Sequence, residues 1–552
     1  MSVAGESVKQ KPAPGVTTVV VASTAGTAFE WYDFFLFVPL AGILSKAFFS
    51  GLTETQGYIF ALGAFAVGFA FRPLGALIFG RIGDRVGRKG TFLITMALMG
   101  LSTFAMGLLP TYAQGGFTAP VLFIGLRILQ GMALGGEWGG AAIYIVEHSP
   151  THRRGEMGSW LGGSAAFGLG GALLMVLGTR LSVGEAAFAE WGWRVPFLAS
   201  AFLLAISIWI RLRLHESPVF KKLAEEGRRS QRPYVESFAR WPILKRVFTV
   251  LFGIMVAQGA VWYTCFFYAP FFLENVIKVA AATVNEVMIA LVAVSVPLYW
   301  IAGVLSDKIG RKPVMIFGMV TTVVWLFPGF HLLSHFGNPT LAEASARAPI
   351  VVAADPAECS LQFDPVGKSN FRSSCDIAKS TLARLGVSYA NERAEPGAVA
   401  HVRVGETIIP SVDARALSGD ALNVARAAAS AQITAAVRAA GYPAHADPAR
   451  TNPFGLFATL LVFCIGATFL FGPQASALVE LFPANIRYTA LSLPYHIGTG
   501  WVGGFLPATA FALVAASGDI YFGLWYPLIA AGLSALTAFL ALPETRGREL
   551  DY

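Results

Sequence analysis

Apolar stretches of about 20 residues, the length a helix needs to cross a hydrocarbon core, recur at 17–45, 56–80, 91–111, 118–146, 157–182, 192–212, 246–275, 283–305, 313–335, 453–480, 488–516 and 521–542. The pattern predicts twelve membrane-spanning helices. Glycine-rich tracts within 157–182 and near 498–516 fit this reading, because small residues let membrane helices approach closely. The polar connections alternate in character. Those at 81–90, 151–156, 211–246 and 306–313 hold Arg81, Arg85, Arg88, Lys89, Arg153, Arg154, the basic run from Arg211 to Arg246, Lys308, Arg311 and Lys312, whereas 46–55, 112–117 and 276–282 hold only Lys46 and Lys278. Lysine and arginine in short loops stay cytoplasmic. Both termini are therefore expected in the cytoplasm, with the protein in a bacterial inner (plasma) membrane. The polar start (Lys9, Lys11, Pro12, Pro14) lacks the apolar core and cleavage site of a secretory signal, so the first span is expected to direct insertion.

The expected fold class is an all-α polytopic membrane protein. Its parts are a cytoplasmic tail (1–16), a six-helix half (17–213), a cytoplasmic central loop (214–245), a second six-helix half (246–542) and a cytoplasmic tail (543–552). Residues 340–450 break the second half. They carry eleven acidic and eleven basic residues, a neutral and charge-rich makeup typical of a soluble domain. Following the ninth span, this insert is expected outside, in the periplasm or extracellular space. It holds Cys359 and Cys375, two of the four cysteines. In an oxidising compartment this pair is expected to form a disulfide, worth about 3 kcal/mol for a loop of about 15 residues; two free thiols are the alternative. The stretch 419–440 reads as an amphipathic helix.

Composition narrows the function classes. The chain is 55% hydrophobic and 13% charged, against about 25% charged for a soluble protein. The formal charge of +8 sits mainly on the basic loops, so it reports membrane orientation and implies no nucleic-acid partner.

The chain also repeats itself. RIGDRVGRK (81–89) matches VLSDKIGRK (304–312), pairing Asp84, Gly87, Arg88 and Lys89 with Asp307, Gly310, Arg311 and Lys312. EHSPTHRR (147–154) matches ELFPANIR (480–487), and the register between the two matches is lengthened by the extent of the insert. WYDFFLFVP (31–39) matches WYTCFFYAP (262–270). Two parallel six-span halves, each with a basic D-x-x-G-R-K loop between its second and third spans, resemble the major facilitator superfamily. GTAFEWYDFF (26–35), FRPLGALIFGRIGDRVGRKG (71–90), RILQGMALGGEWGGA (127–141) and LSLPYHIGTGWVGG (491–504) resemble its metabolite:proton symporter family more closely. PETRG (543–547) is similar to a motif of sugar-porter-like relatives. The resemblance implies a latch role for Asp84, Gly87 and Arg88, with Arg85 also able to bridge carboxylates. The counterpart around Asp307 and Arg311 is expected to be weaker, because Lys308 and Ser306 replace an arginine and a glycine.

Charges within spans are costly, at least about 2.5–3.5 kcal/mol each at a helix centre, and therefore informative. The first half carries Glu30, Asp33, Arg72, Arg127 and Glu137; the second half is nearly empty, with Thr264 at the position of Asp33. Asp33 or Glu30 is the expected proton carrier, with Arg127 as its switchable partner and Glu137 on the same stripe of span four; fixed structural ion pairs are the alternative. Arg72, Arg127 and Gln130 are candidates for binding substrate, Arg72 because a guanidinium grips a carboxylate. Tyr32, Trp262, Tyr263, Tyr495 and His496 are candidate cavity residues, with packing as the competing role. No phosphate-binding glycine loop and no metal-spaced Cys/His cluster occurs. The expectation is a non-enzymatic secondary transporter without cofactor or metal, acting as a monomer in the lipid bilayer. It would import a small organic acid (a dicarboxylate or aromatic carboxylate) with protons. A zwitterionic osmolyte of the proline or betaine type is the alternative substrate, and a transporter-like sensor a remote one.

Overall fold

The computed structural model describes residues 16–49, 67–212, 216–360 and 372–550. The N-terminal tail and the start of the span expected at 56–80 lie outside the described residues. Span one is Val16–Phe35, continuing after a break at Leu36 as Phe37–Phe49. Span two is Arg72–Arg85, three Arg88–Leu108, four Thr118–His148, five Arg154–Val183 and six Arg194–Leu212. Span seven is Trp241–Val276, eight Ala281–Ile309, nine Arg311–Gly337, ten Pro453–Phe471 with Gln474–Leu481, eleven Arg487–Ser517 and twelve Trp525–Ala541. Ten helices are by themselves long and apolar enough to cross a membrane among the described residues.

Local chemistry sets the ends of these helices. Asn452 caps span ten by accepting from Gly455 N at 2.9 Å, with Pro453 at the first position, where its missing N–H costs nothing. The turns from span two to three and from eight to nine pivot on Gly87 (φ 138°) and Gly310 (φ 111°), a backbone conformation that only glycine adopts freely. Span seven is interrupted by π-helical turns at Leu251–Met255, Thr264–Tyr268 and Phe272–Val276, and span eleven by one at Ile497–Gly503. The two halves meet along span five against eight and span two against eleven. Loops joining two to three, four to five and eight to nine share one face of the bundle, termed here the basic face; the opposite face bears the insert.

The insert departs from the all-helical plan of the spans. Strands β1 (Ile350–Ala354), β2 (Ala390–Arg393), β3 (His401–Val404) and β4 (Thr407–Pro410) form a four-stranded sheet in the order β2-β1-β3-β4. β1 and β2 run parallel; β1–β3 and β3–β4 are antiparallel. Helices Ser374–Leu385 and Gly419–Ala439 pack with it, the second where the sequence predicts an amphipathic helix. Cys359 and Cys375 are disulfide-bonded. The insert docks on the second half. Tyr389 N donates to Gly518 O at 2.7 Å, Asn391 Nδ2 to Ser517 O at 2.5 Å, Lys278 Nζ to Arg384 O at 2.8 Å and Ala446 N to Lys278 O at 2.8 Å.

Candidate functional site

Three polar groups occupy the interior of the first half. The first is a set of hydrogen-bonded side chains from spans one, three, four and six. Arg127 Nη1 donates to Gln130 Oε1 at 2.8 Å, and Gln130 Nε2 donates to Thr103 Oγ1 at 2.6 Å. The Thr103 hydroxyl donates to the Met99 carbonyl at 3.0 Å and lies near the Asp33 carboxyl, which accepts from Ser200 Oγ at 2.5 Å. The Arg127 guanidinium lies over Phe34 and Phe37, at 5.1 and 4.7 Å from the ring centroids. The direct Asp33–Arg127 ion pair expected from the sequence is absent among the described residues: Arg127 is bonded to Gln130 and Asp33 to Ser200, with Thr103 beside both Gln130 and Asp33. The uncharged side chains of Thr103 and Gln130 fill the space between the charges.

The second group corrects the sequence reading further. Glu30 and Glu137 do not pair with Arg127. Both face Arg211, whose Nη1 lies 3.4 Å from Glu30 Oε1 and 3.1 Å from Glu137 Oε1. Thr95 Oγ1 donates to Glu137 Oε2 at 2.9 Å, and the Arg211 guanidinium stacks 3.3 Å from the Phe92 ring centroid. Arg211 was assigned to a basic loop because it closes an apolar run. The structure buries it instead, at 1% exposure. A signal existed: beyond Arg194 at its start, the polar residues of span six are Ser200, Ser207 and Arg211, and they share one buried helical face.

Arg72 forms the third group. Its guanidinium lies 4.4 Å from the Phe69 centroid, 4.8 Å from Phe34 and 5.7 Å from Trp31, beside the hydroxyl of Tyr263 and near Tyr495. Its Nε and Nη2 find no hydrogen-bond partner among the described residues. The second half adds neutral polar groups. Trp262 Nε1 donates to Tyr299 Oη at 2.9 Å, Tyr495 stacks on Trp138 with centroids 3.8 Å apart, and His496 is buried with neither ring nitrogen hydrogen-bonded among the described residues. Gln258 and Gln474, not anticipated from the sequence, are buried in spans seven and ten, each with an unpartnered Oε1. Tyr32 turns away from this group, donating to Pro196 O at 2.8 Å.

On the basic face two latches join the halves with matching parts. In the first, Asp84 accepts from Tyr488 N at 3.1 Å and Thr489 N at 2.8 Å, capping span eleven from the other half. Arg88 lies 3.6 Å from Asp84 and 3.9 Å from Glu147, which Arg487 Nη1 contacts at 2.6 Å. In the second, Asp307 accepts from Gly155 N at 2.9 Å and Glu156 N at 2.7 Å, capping span five. Arg311 reaches Asp307 at 2.6 Å and Glu480 at 3.3 Å, while Arg154 lies 3.8 Å from Glu480. The second latch keeps a matching set of contacts although Ser306 and Lys308 replace the expected residues: the Ser306 hydroxyl accepts from Arg311 Nη1 at 3.1 Å. Arg85 is exposed and forms no ion pair among the described residues, whereas its neighbour Asp84 is buried. Glu216 and Glu544 complete the symmetry. Glu216 accepts from Lys89 N at 3.2 Å, Glu544 from Arg311 N at 2.9 Å, and the following hydroxyls of Ser217 and Thr545 reach Glu147 and Glu480. Burial would raise the Glu544 carboxyl, but main-chain N–H groups of Arg546, Arg311, Lys312 and Thr545 hold it below its ordinary value.

Comparison with known proteins gives a consistent result. Residues 24–346 match the family model described as Major Facilitator Superfamily. The proline/betaine transporter of Escherichia coli K12 is 33% identical over 323 residues, covering 57% of this chain. The chain spans 64% of that relative's length. The inner membrane metabolite transport protein YhjE of Escherichia coli K12 is 37% identical over 343 residues, 59% of this chain and 74% of that protein. The proton:xylose symporter XylE, solved with 6-bromo-6-deoxy-D-glucose, superposes with a TM-score of 0.63 over 97% of this chain and 98% of its own. At 15% identity it speaks for the fold alone.

Proposed function

This chain belongs to the major facilitator superfamily, and from that membership we propose that it carries a small zwitterionic solute of the proline or betaine kind inward with protons, by alternating access. The observation that carries this reading is Arg72. A buried guanidinium with unpartnered N–H groups suits one carboxylate. The rings of Trp31, Phe34 and Phe69 around it, with Trp262 and Tyr263 nearby in span seven, offer faces for an ammonium group. The charge balance supports the same choice. Arg211 is engaged by Glu30 and Glu137, so it adds no free cation beside Arg72 for the second carboxylate of a dicarboxylate. The proline/betaine transporter among the relatives favours the zwitterion as well.

Asp33 is the proposed proton carrier. Thr103, beside both Asp33 and Gln130, allows a change of charge at Asp33 to be felt in span four without a direct ion pair. Proton movement needs no bound nucleotide or metal, and the protein acts as a monomer in the bilayer. The basic face lies in the cytoplasm with both termini, and the insert lies outside.

The test is uptake by proteoliposomes under an imposed pH gradient, with proline, glycine betaine, succinate and benzoate compared. Accumulation of proline or betaine, lost in Arg72→Ala, is expected. Accumulation of succinate or benzoate with neither osmolyte transported overturns the zwitterion reading in favour of an organic acid.

A further inference from the structure

The Glu30–Glu137–Arg211 group has no part in the scheme above, and its construction asks for one. Glu30 is 2% exposed, Glu137 1% and Arg211 1%. One guanidinium nitrogen serves both carboxyls, 3.4 Å from Glu30 and 3.1 Å from Glu137, which brings the two acids together. Glu30 Oε2 and Arg211 Nε and Nη2 have no partner among the described residues. Two carboxylates against one arginine leave a net negative charge in a dry site, and adjacent buried acids relieve such a charge by sharing a proton.

The surroundings tie this group to the latch. Tyr488 stands at the start of span eleven, in the other half; its main-chain N–H is held by Asp84. Its ring enters a slot in the first half formed by Gly83 and Gly140, where an added Cβ would run into the tyrosine. Its hydroxyl donates to the Gly136 carbonyl, in the peptide bond that leads into Glu137. The glycine run around Glu137 is therefore a socket for a side chain from the opposite half. One residue, Tyr488, touches the latch with its main chain and the peptide of the acid pair with its hydroxyl.

We propose that the Glu30–Glu137 pair, held by Arg211, carries one proton while the basic-face latch is closed, and that Tyr488 couples loss of this proton to latch opening. Withdrawal of the Tyr488 ring empties the glycine socket and admits water to Glu137. The proton leaves to that water, and the second carboxylate so formed is stabilised by hydration. Deprotonation therefore favours the open latch, and protonation the closed one. The other titratable and charged groups facing the pair are Asp33 on span one, Tyr144 on span four and Tyr488, with Asp84 and Arg88 beyond it. Span three contributes the uncharged Thr95 and Phe92, and span five has no ionisable residue between Glu156 and Arg180. The inference rests on proton coupling in the reading above but not on Asp33 as the carrier.

The test is the distance between spin labels at Val86 and Ile309, exposed positions on the latch turns of the two halves. It is measured in nanodiscs without substrate from pH 5 to 9. The open-to-closed ratio is expected to rise with pH, by up to about tenfold per pH unit for a single linked proton. Glu137→Gln and Glu30→Gln should each hold the latch closed and flatten the profile; either suffices if the other fails to fold. Tyr488→Phe keeps the ring in its socket and should leave the profile in place, whereas Tyr488→Ala leaves the socket empty in both states and should flatten it by at least about threefold; a profile unchanged in Tyr488→Ala overturns the role of Tyr488. A latch indifferent to pH in the unsubstituted protein overturns the inference. So does a profile that survives in both glutamine variants; if it is then lost in Asp33→Asn, proton coupling through Asp33 still stands.

Discussion

Removing the Asp84 carboxylate should shift the balance between closed and open states by a measurable amount. In the closed latch it accepts two main-chain hydrogen bonds, from Tyr488 at 3.1 Å and Thr489 at 2.8 Å, and faces Arg88 at 3.6 Å. Asp84→Ala forfeits an N-cap, which costs about 1–2 kcal/mol, and at most two charge-assisted hydrogen bonds of about 1.5–3 kcal/mol each. Opening hydrates the same N–H groups, so the loss falls on the closed state alone. The lower figure corresponds to a shift of about fivefold to thirtyfold toward opening. Ser492, fully buried opposite Gly139 at the seam between the halves, offers a reporter. In a Cys265→Ala, Cys464→Ala background, maleimide labelling of Ser492→Cys should accelerate at least about fivefold when Asp84→Ala is added. Asp307→Ala, whose bonds are 2.9 and 2.7 Å, should do the same. An unchanged labelling rate in Asp84→Ala would refute the latch argument, because the cap would then contribute nothing specific to the closed state.

Other expectations follow from the same contacts. Asp33→Asn should abolish uphill uptake while leaving substrate exchange intact; normal proton-driven accumulation by this variant removes Asp33 from the coupling scheme. Glu544, depressed below its ordinary 4.5 by main-chain N–H groups after burial is overcome, contributes stability that is full above the unfolded value and lost as pH falls through the folded one. Hydrogen exchange at Arg311 and Lys312, corrected for intrinsic rates, should therefore rise below pH 4.5 in the unsubstituted protein and be raised already at neutral pH in Glu544→Ala. Replacing Cys359 and Cys375 by serine should destabilise the insert by about 3 kcal/mol, read as faster exchange at Val402 in the centre of its sheet.

The twelve-span plan was legible because membrane helices must bury their backbone hydrogen bonds internally, so apolar length alone identifies them. The latch aspartates were legible too, since internal repetition exposes any motif used twice. Partnerships were not. Glu147 and Glu480 were visible as a repeated pair, but nothing in their spacing names Arg487 or Arg311 as the residue each meets. Arg211 was hidden by its position at the end of an apolar run, where a snorkelling cation and an inward-facing one read alike. Only the polar spacing of Ser200 and Ser207 on its helix separates the two cases. The sheet of the insert was lost because its strands are four or five residues long, too short for an alternating pattern to stand out.

The docking of the insert makes the two halves mechanically unequal. Hydrogen bonds from this one folded body fasten the end of span seven at Lys278 and the turn after span eleven at Ser517 and Gly518, while spans nine and ten feed directly into it. On that face the second half is therefore a stiff wall whose helices cannot bend one at a time. The first half has no comparable brace on the same face among the described residues. A protein made of two similar halves thus has one yielding side, and an antibody or crosslink that grips the insert will mark the frame of the machine and leave its moving part free.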